Sequence, residues 1–574
     1  MEKSIPPLCK TEYLSVKLSL IFLPILLLTF TKPTASAAET ADLVVRSANV
    51  ITIDAAHPRA QAFAVTGGKF TIIGANDAVA SYIGPQTTVL DLSGKTVTPG
   101  FIDAHAHPMP IYPEDSVWAP VDCRPQTVKN IEGLIAALKR KAEKTPSGKW
   151  IVGENYENLK LERQPTRWDL DRASTQNPIL LRHYSGHERV CNSLALKLAK
   201  ITKDIADPPG GRFVRDEKGE LTGLMEENAA LNIATGETPP DEEVDAGYTR
   251  GYRQFLSRGV TTVGVAWANV KHARDLERAR TGDAPLRLYI AMSEGLITET
   301  LARKQAMKSD ENGVRYGAIK IFHGGSVSAH TCWVSEPYIG VEKNFGLKPS
   351  RSQETLNKVI LAAHKAGLQI WVHCNGDREI DMVVTAFENA LKIFPRPDHR
   401  HRLEHCSVVT PELLRRIKSA GLVVIPHSYI WEHGDILDAY NPKLWETILP
   451  SKSLLDLGIS RAAHSDSPVS TSDPLMHIQA LVTRTSAQGK TYGLGQRITP
   501  EQAITVWTLG GAFACFSETQ TGSITAGKLA DFVILDGDPT TVVPDQIRKI
   551  AVEATFVGGR EVFARRSRDN WNTP

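Results

Sequence analysis

Residues 97–108 read VTPGFIDAHAHP, and the fold is decided there. An apolar run interrupted by Pro99-Gly100 ends in two histidines, His105 and His107, spaced two apart. Side chains along a strand repeat their direction every second residue, so the two imidazoles face the same way if the run ends a strand. Two imidazoles on one face can share a metal ion. A pair of histidines at a polar turn is the plainer alternative, and the apolar run before them favours the strand end.

Other segments have the same form. Leu368 to Val372 leads into His373, and Arg402-Leu403-Glu404 leads into His405. Each histidine closes a β-like run just before loop residues, where a lone histidine is more often a hydrogen-bonded structural residue. Residues 459–468, ISRAAHSDSP, bring Asp466 to the end of another such run. A carboxylate there can bind a divalent ion and take a proton from its water; an Asx-turn before Pro468 is the alternative. Lys320, in GAIKIF, stands between apolar neighbours. A buried unpaired ammonium is costly. Either Lys320 reaches solvent from an edge strand, or it is converted to a carbamate that bridges two metals.

Around these segments, β-like runs alternate with helical patterns. The runs are 179–182, 261–266, 288–291, 318–322, 368–372, 402–405, 422–425 and 461–466, and helices are expected over 353–365, 380–393 and 411–420. Repeated βα alternation indicates a parallel sheet. The count suits an eightfold barrel, and about 400 residues accommodate one with insertions. Residues 118–199, rich in Pro, Trp and charge, read as an insertion. Both chain ends are β-rich, with runs at 42–53, 62–73, 88–92, 531–535 and 550–557 and a turn at Gly558-Gly559. They are expected to fold together as one small domain of residues 38–98 and 520–574, leaving 99–519 for the barrel.

The N-terminus reads as an export signal over residues 1–37. Lys3, Lys10 and Lys17 precede an apolar run from Leu18 to Phe30, and Ala35-Ser36-Ala37 is a small-x-small cleavage site. The run is short for a bilayer span, which needs about 20 residues. The expected location is periplasmic or secreted, with no stable membrane span after cleavage; an uncleaved signal would instead be an N-terminal anchor. A hydrophobic content of 42% and a charged content of 23% support a folded core. A net charge of +2 gives no footing for nucleic acid. The cysteines form no CxxC pair, so a zinc ribbon has no support. Cys374 and Cys406 each follow a candidate ligand, and either a disulfide or two free thiols fits their spacing.

The chain resembles the amidohydrolase superfamily, in the family 3 branch that includes N-substituted formamide deformylases. The resemblance rests on VTPGFIDAHAHP, the SGH segment at 185–187 with Asn192-Ser193, Thr222-Gly223, AIKIF, HCNGDREID, RLEH, HSDSPV, SDPL and the closing GSI…GKLAD. It implies a (β/α)8 TIM-like barrel with a small β-sandwich built from both ends. It also implies that His105, His107, Lys320 and Asp466 hold one divalent ion, and Lys320, as a carbamate, with His373 and His405 a second. Zinc suits such ligands. Asp466 would be the general base, with His187 and His323 as substrate contacts. One departure stands out: relatives carry Asp-Gly shortly after the lysine, where this chain has His323-Gly324-Gly325.

The expected activity is hydrolysis of a non-peptide carbon–nitrogen bond in a small molecule, such as an amide, formamide, carbamate or cyclic amide, by metal-activated water. An esterase, lactonase or deaminase on the same scaffold is the alternative, and a non-catalytic binding protein a further one. A homo-oligomer is compatible with all of these.

Overall fold

The computed structural model describes residues 40–230, 233, 235, 238–307, 313–340 and 343–565. The export signal read at residues 1–37 lies outside them. No helix among the described residues is long and apolar enough to cross a membrane.

Seven strands form one parallel sheet in sequential order: β1 Phe101–Ala106, β2 Val260–Ala268, β3 Arg287–Ser293, β4 Val314–Phe322, β5 Gln369–Cys374, β6 Arg402–His405 and β7 Val423–Pro426. Most of their residues are buried. Such near-continuous burial is what a parallel sheet covered by helices requires. Residues 461–466 fill the eighth position. They bridge to β7 at Val424–Arg461 and His427–His464. On the other side Ala104 N donates to Ala463 O at 3.2 Å and Asp466 N to His105 O at 3.0 Å. The sheet therefore closes into a (β/α)8 barrel.

Helices Gln353–Lys365, Asp377–Ile393 and Pro411–Ser419 follow β4, β5 and β6. Their starts are set by local chemistry: Ser352 and Thr410 accept from backbone N–H groups of the first turn, and Pro411 occupies a helix start, where its missing N–H is no loss.

A six-stranded sheet joins the two ends of the chain, in the order Arg560–Ala564, Val552–Val557, Phe532–Leu535, Thr96–Pro99, Asn49–Ile51, Arg59–Ala60. A four-stranded sheet of Leu43–Arg46, Ala62–Thr66, Lys69–Gly74 and Thr88–Asp91 contributes to the same core. Phe532 sits at the centre of that core, 4.3 Å from the Phe556 ring in a stacked pair and 5.0 Å from Phe63 edge-on. Thr96–Pro99 runs directly into β1, so this terminal sheet leads the chain into the barrel.

The insertion after β1 builds a sheet of its own from Val121–Asp122, Ile151–Tyr156, Ile179–His183, Glu188–Cys191, Leu221–Glu227 and Gly211–Arg215. Two sequence expectations are corrected here. The apolar run 179–182 belongs to this sheet and not to the barrel, whose first strand is instead β1. The sheet also continues to Glu227, past the boundary expected at 199, because the hairpin 211–227 pairs its second strand with Glu188–Cys191. Composition marks the charged start of the insertion but carries no signal for a later hairpin that returns to it.

Truncating Phe532 to Ala should lower stability by about 3–5 kcal/mol, the usual range for a buried phenylalanine. The shift of the urea midpoint measures this. A loss under about 1 kcal/mol would mean that the two chain ends do not share this core.

Candidate metal centre

His105 leaves the end of β1 with its ring orientation fixed. Its Nδ1 hydrogen-bonds Glu404 Oε2 from β6. Glu404 is clamped from the other side by Arg402, with Nε to Oε1 at 2.7 Å and Nη2 to Oε2 at 2.8 Å. The Arg402 guanidinium lies 3.5 Å from the centre of the Trp371 ring. All four residues are fully buried. Burial opposes the Glu404 charge, but Arg402 and His105 outweigh it and hold the carboxyl far below the usual range. A carboxylate accepting from Nδ1–H leaves Nε2 as the lone-pair nitrogen.

That Nε2 points at Asp466. Asp466 Oδ1 is 3.3 Å from His105 Nε2 and 3.3 Å from His107 Nε2. Burial works against the Asp466 charge, yet the two imidazoles beside it, His105 and His107, keep its pKa well below the ordinary value. Asp466 has φ +58° and His405 φ +68°, left-handed conformations that non-glycine residues seldom adopt and that concentrate at functional sites. The position of Asp466 is set by Asp103, whose carboxylate accepts from Ser465 N at 3.1 Å and from Ser465 Oγ. Burial pushes Asp103 up to about 6.

Lys320, on β4, is buried, with Nζ 3.5 Å from His105 Nε2. Burial pulls its pKa down to about 8, against the pull of Glu404 and Asp466. The solvent-reaching alternative for this residue does not hold. His373, on β5, has Nε2 3.0 Å from the Gly325 carbonyl, which makes Nε2 the donor and leaves Nδ1 its lone pair. The His405 ring lies 4.8 Å from His105 and 4.7 Å from His373, and its Nδ1 has no hydrogen-bond partner among the described residues. The structure thus brings His105, His107, Lys320, His373, His405 and Asp466 to one mouth of the barrel, where strand C-termini place barrel chemistry.

His187 reaches the same mouth from the insertion. Its ring is 4.9 Å from His373, and its Nδ1 pairs with Glu227 Oε2 at 2.8 Å. Burial opposes its protonation, but Glu227 wins and raises its pKa. His323 is buried at the edge of the cleft, pushed down to about 4 by desolvation, and neither ring nitrogen has a partner among the described residues. Gly324, at φ +106°, lies against the Glu379 carboxylate, where a Cβ would collide. That carboxylate gathers N–H groups of Gly325, Trp333, Asn375 and Gly376, tying the loop after β4 to the end of β5. Cys374 and Cys406 are separate buried thiols.

Several residues here escaped the sequence reading. His427 stacks on His405 at 4.2 Å, and His464 lies 4.7 Å from His427. Nitrogens of His405, His427 and His464 come within 4.8 Å of one another, as do ligand atoms of His105, His405 and Asp466. His427 and His464 stand at strand ends, like the histidines that were singled out. Glu404 sits inside the quoted RLEH, but its partner His105 is remote in sequence.

The donor set suits a divalent ion. Imidazoles and a carboxylate are the usual ligands of zinc-type sites. Nδ1 of His405 and both nitrogens of His464 are buried without partners among the described residues. An unsatisfied buried polar atom costs about 1–3 kcal/mol, which coordination would remove. A cleft of about 2390 Å³ opens above the mouth and is walled on one side by the insertion.

Comparison with known proteins gives the same picture. Residues 88–563 match the model of an amidohydrolase family. The chain is 29% identical to the N-substituted formamide deformylase of Arthrobacter pascens, over 90% of this chain and 97% of that one. It is 29% identical to the putative amidohydrolase YtcJ of Bacillus subtilis, over 84% and 92% respectively. An uncharacterized metal-dependent hydrolase from Pyrococcus horikoshii OT3 shares the fold, with a TM-score of 0.67 and 22% identity over 88% of this chain and 99% of that one. With a family match spanning most of its length and a closed barrel carrying a metal-type donor set at its mouth, the chain belongs to the amidohydrolase family.

Proposed function

We propose that the chain hydrolyses a non-peptide carbon–nitrogen bond, in an amide, formamide, carbamate or cyclic amide, using one or two divalent ions, zinc foremost. The observation that carries this reading is the single Asp466 oxygen placed 3.3 Å from Nε2 of both His105 and His107. His105, His107, Lys320 and Asp466 would hold one ion, and Lys320, His373 and His405 the other. A divalent ion so held lowers the pKa of bound water towards about 7 and polarises the scissile carbonyl.

The chain's own residues supply the proton path and the positioning. Asp466, kept ionised, takes a proton at its carboxylate and returns it to the departing nitrogen. His187, with its pKa raised by Glu227, donates a hydrogen bond to the substrate carbonyl. Lys320 is suited to carboxylation because burial favours its neutral amine. The amine nitrogen would bond to the carbon of CO2 and lose one proton, giving an anionic carbamate whose oxygens would serve as metal ligands. The similarity to a deformylase supports the formamide side of the range. The signal pattern at residues 1–37 supports export.

The direct test is a panel of N-substituted formamides, carbamates, cyclic amides, esters and amino-heterocycles, assayed with the wild type and Asp466→Asn. Turnover of the amide classes should fall by about 10²–10⁴-fold in the variant, on the scale of a lost general base. Metal content measured on the same samples should be retained. Full turnover by Asp466→Asn would remove Asp466 as the base, and turnover of esters or amino-heterocycles alone would remove the amide reading.

Glu404→Gln should weaken metal affinity by about 10–100-fold, the usual effect of losing a partner behind a ligand histidine. Chelator competition measures it, and a metal-free melt checks that the variant is folded. Unchanged affinity in a folded variant would show that Glu404 does not orient His105 for a metal.

A further inference from the structure

The cleft has a second polar wall that the hydrolytic chemistry leaves unused. It is formed by the insertion strand Glu188–Cys191, which pairs antiparallel with Ile179–His183 and Leu221–Glu227. The ladder continues one residue earlier, because Glu227 N donates to His187 O at 2.8 Å. Strand alternation then places His187 and Arg189 on one face and Glu188 on the other. Glu188 lies by the Tyr156 hydroxyl at 3.5 Å, while His187 and Arg189 both line the cleft. His187 abuts His373 at the barrel mouth. Two residues of strand span about 7 Å, so Arg189 stands about that much further along the same wall.

The charge on this wall is unbalanced. The register sets Arg182 opposite Arg189, and Glu154 opposite Arg182 on its other side. Glu154 Oε1 accepts from Arg182 Nη1 at 2.7 Å. On the far side of Arg189 the register offers only Met225. Arg182 takes that carboxylate, and Arg189 has no carboxylate partner among the described residues. The other arginines of the cleft differ: Arg124 pairs with Asp122 and Arg351 with Glu294, and Arg140 is exposed. Burial and the neighbouring Arg182 pull the Arg189 guanidinium down to about 10, which leaves it charged at neutral pH. A half-buried cation without a counter-charge is costly unless a ligand supplies one.

Size points the same way. The cleft holds about 2390 Å³, against about 300–1,000 Å³ for ordinary small-molecule sites. A simple formamide would leave most of it empty.

We infer that Arg189 binds a carboxylate at the far end of the substrate, so that the natural substrates are N-acyl or N-formyl compounds bearing an acidic group remote from the scissile bond. The inference rests on the hydrolytic reading above for the reaction, but not for the anion site itself. A single planar guanidinium offers two parallel N–H donors, which match the two oxygens of a carboxylate.

The test uses N-formyl ω-amino acids of increasing chain length, each with its neutral primary-amide twin and its phosphonate counterpart. Equilibrium binding to the metal-loaded full chain is measured by calorimetry, and hydrolysis in parallel. For the best chain length, the wild type should bind the carboxylate more tightly than the amide by roughly tenfold or more, the scale of a charge-assisted hydrogen bond. In Arg189→Gln that ratio should collapse to about one, and Arg189→Lys should restore part of it. Arg189-dependent binding without hydrolysis would uphold the anion site and sink the hydrolytic reading. Equal binding of both twins by the wild type, a preference that survives in Arg189→Gln, or selection of the phosphonate over the carboxylate would overturn the inference.

Discussion

The whole site depends on how the barrel is closed. Residues 461–466 close it, pinned to β1 by the buried Asp103 carboxylate through both the N–H and the hydroxyl of Ser465. The backbone bond from Asp466 N to His105 O continues the seam by one more step. These contacts join segments at opposite ends of the barrel sequence and decide where Asp466 lies relative to His105 and His107. Without that seam the three would not converge, and a left-handed aspartate at the mouth would have no support for its strain.

Behind the mouth, a second constraint fixes what each ring can offer. The stack Trp371–Arg402–Glu404–His105 is fully buried, so each charge in it needs a neighbour. Glu404 meets that need for Arg402 and in doing so assigns the tautomer of His105. The Gly325 carbonyl does the same for His373. Ligand atoms of His105, His405 and Asp466 lie within 4.8 Å of one another, and ring nitrogens of the buried His405 and His464 have no hydrogen-bond partner among the described residues. The insertion brings His187 against His373, so the mouth of the barrel and the cleft wall beside it are built on different sheets.

Much of this was legible in the sequence because strand chemistry is local. The two-residue spacing of His105 and His107 gives their common direction, and histidines closing apolar runs mark strand ends. What was illegible is long-range. Glu404 looks like any acidic residue until the fold carries it to His105. His427 and His464 stand at the ends of runs that the sequence does mark, 422–425 and 461–466, but nothing local says that the fold brings their rings against His405. The run at 179–182 has the composition of a barrel strand, and only pairing assigns it to the insertion. The closeness of Gly324 to the Glu379 carboxylate is likewise visible only in three dimensions.

By the reading proposed above, these side chains hold metal in the stated composition. Anomalous diffraction from metal-loaded crystals, collected on both sides of the metal absorption edge, tests it most directly. The expected result is one peak among His105, His107 and Asp466, and, where Lys320 is carboxylated, a second peak beside His373 and His405 with carbamate density between them. A metal bound only at His427 and His464, or no peak at the mouth of the barrel, would contradict the account.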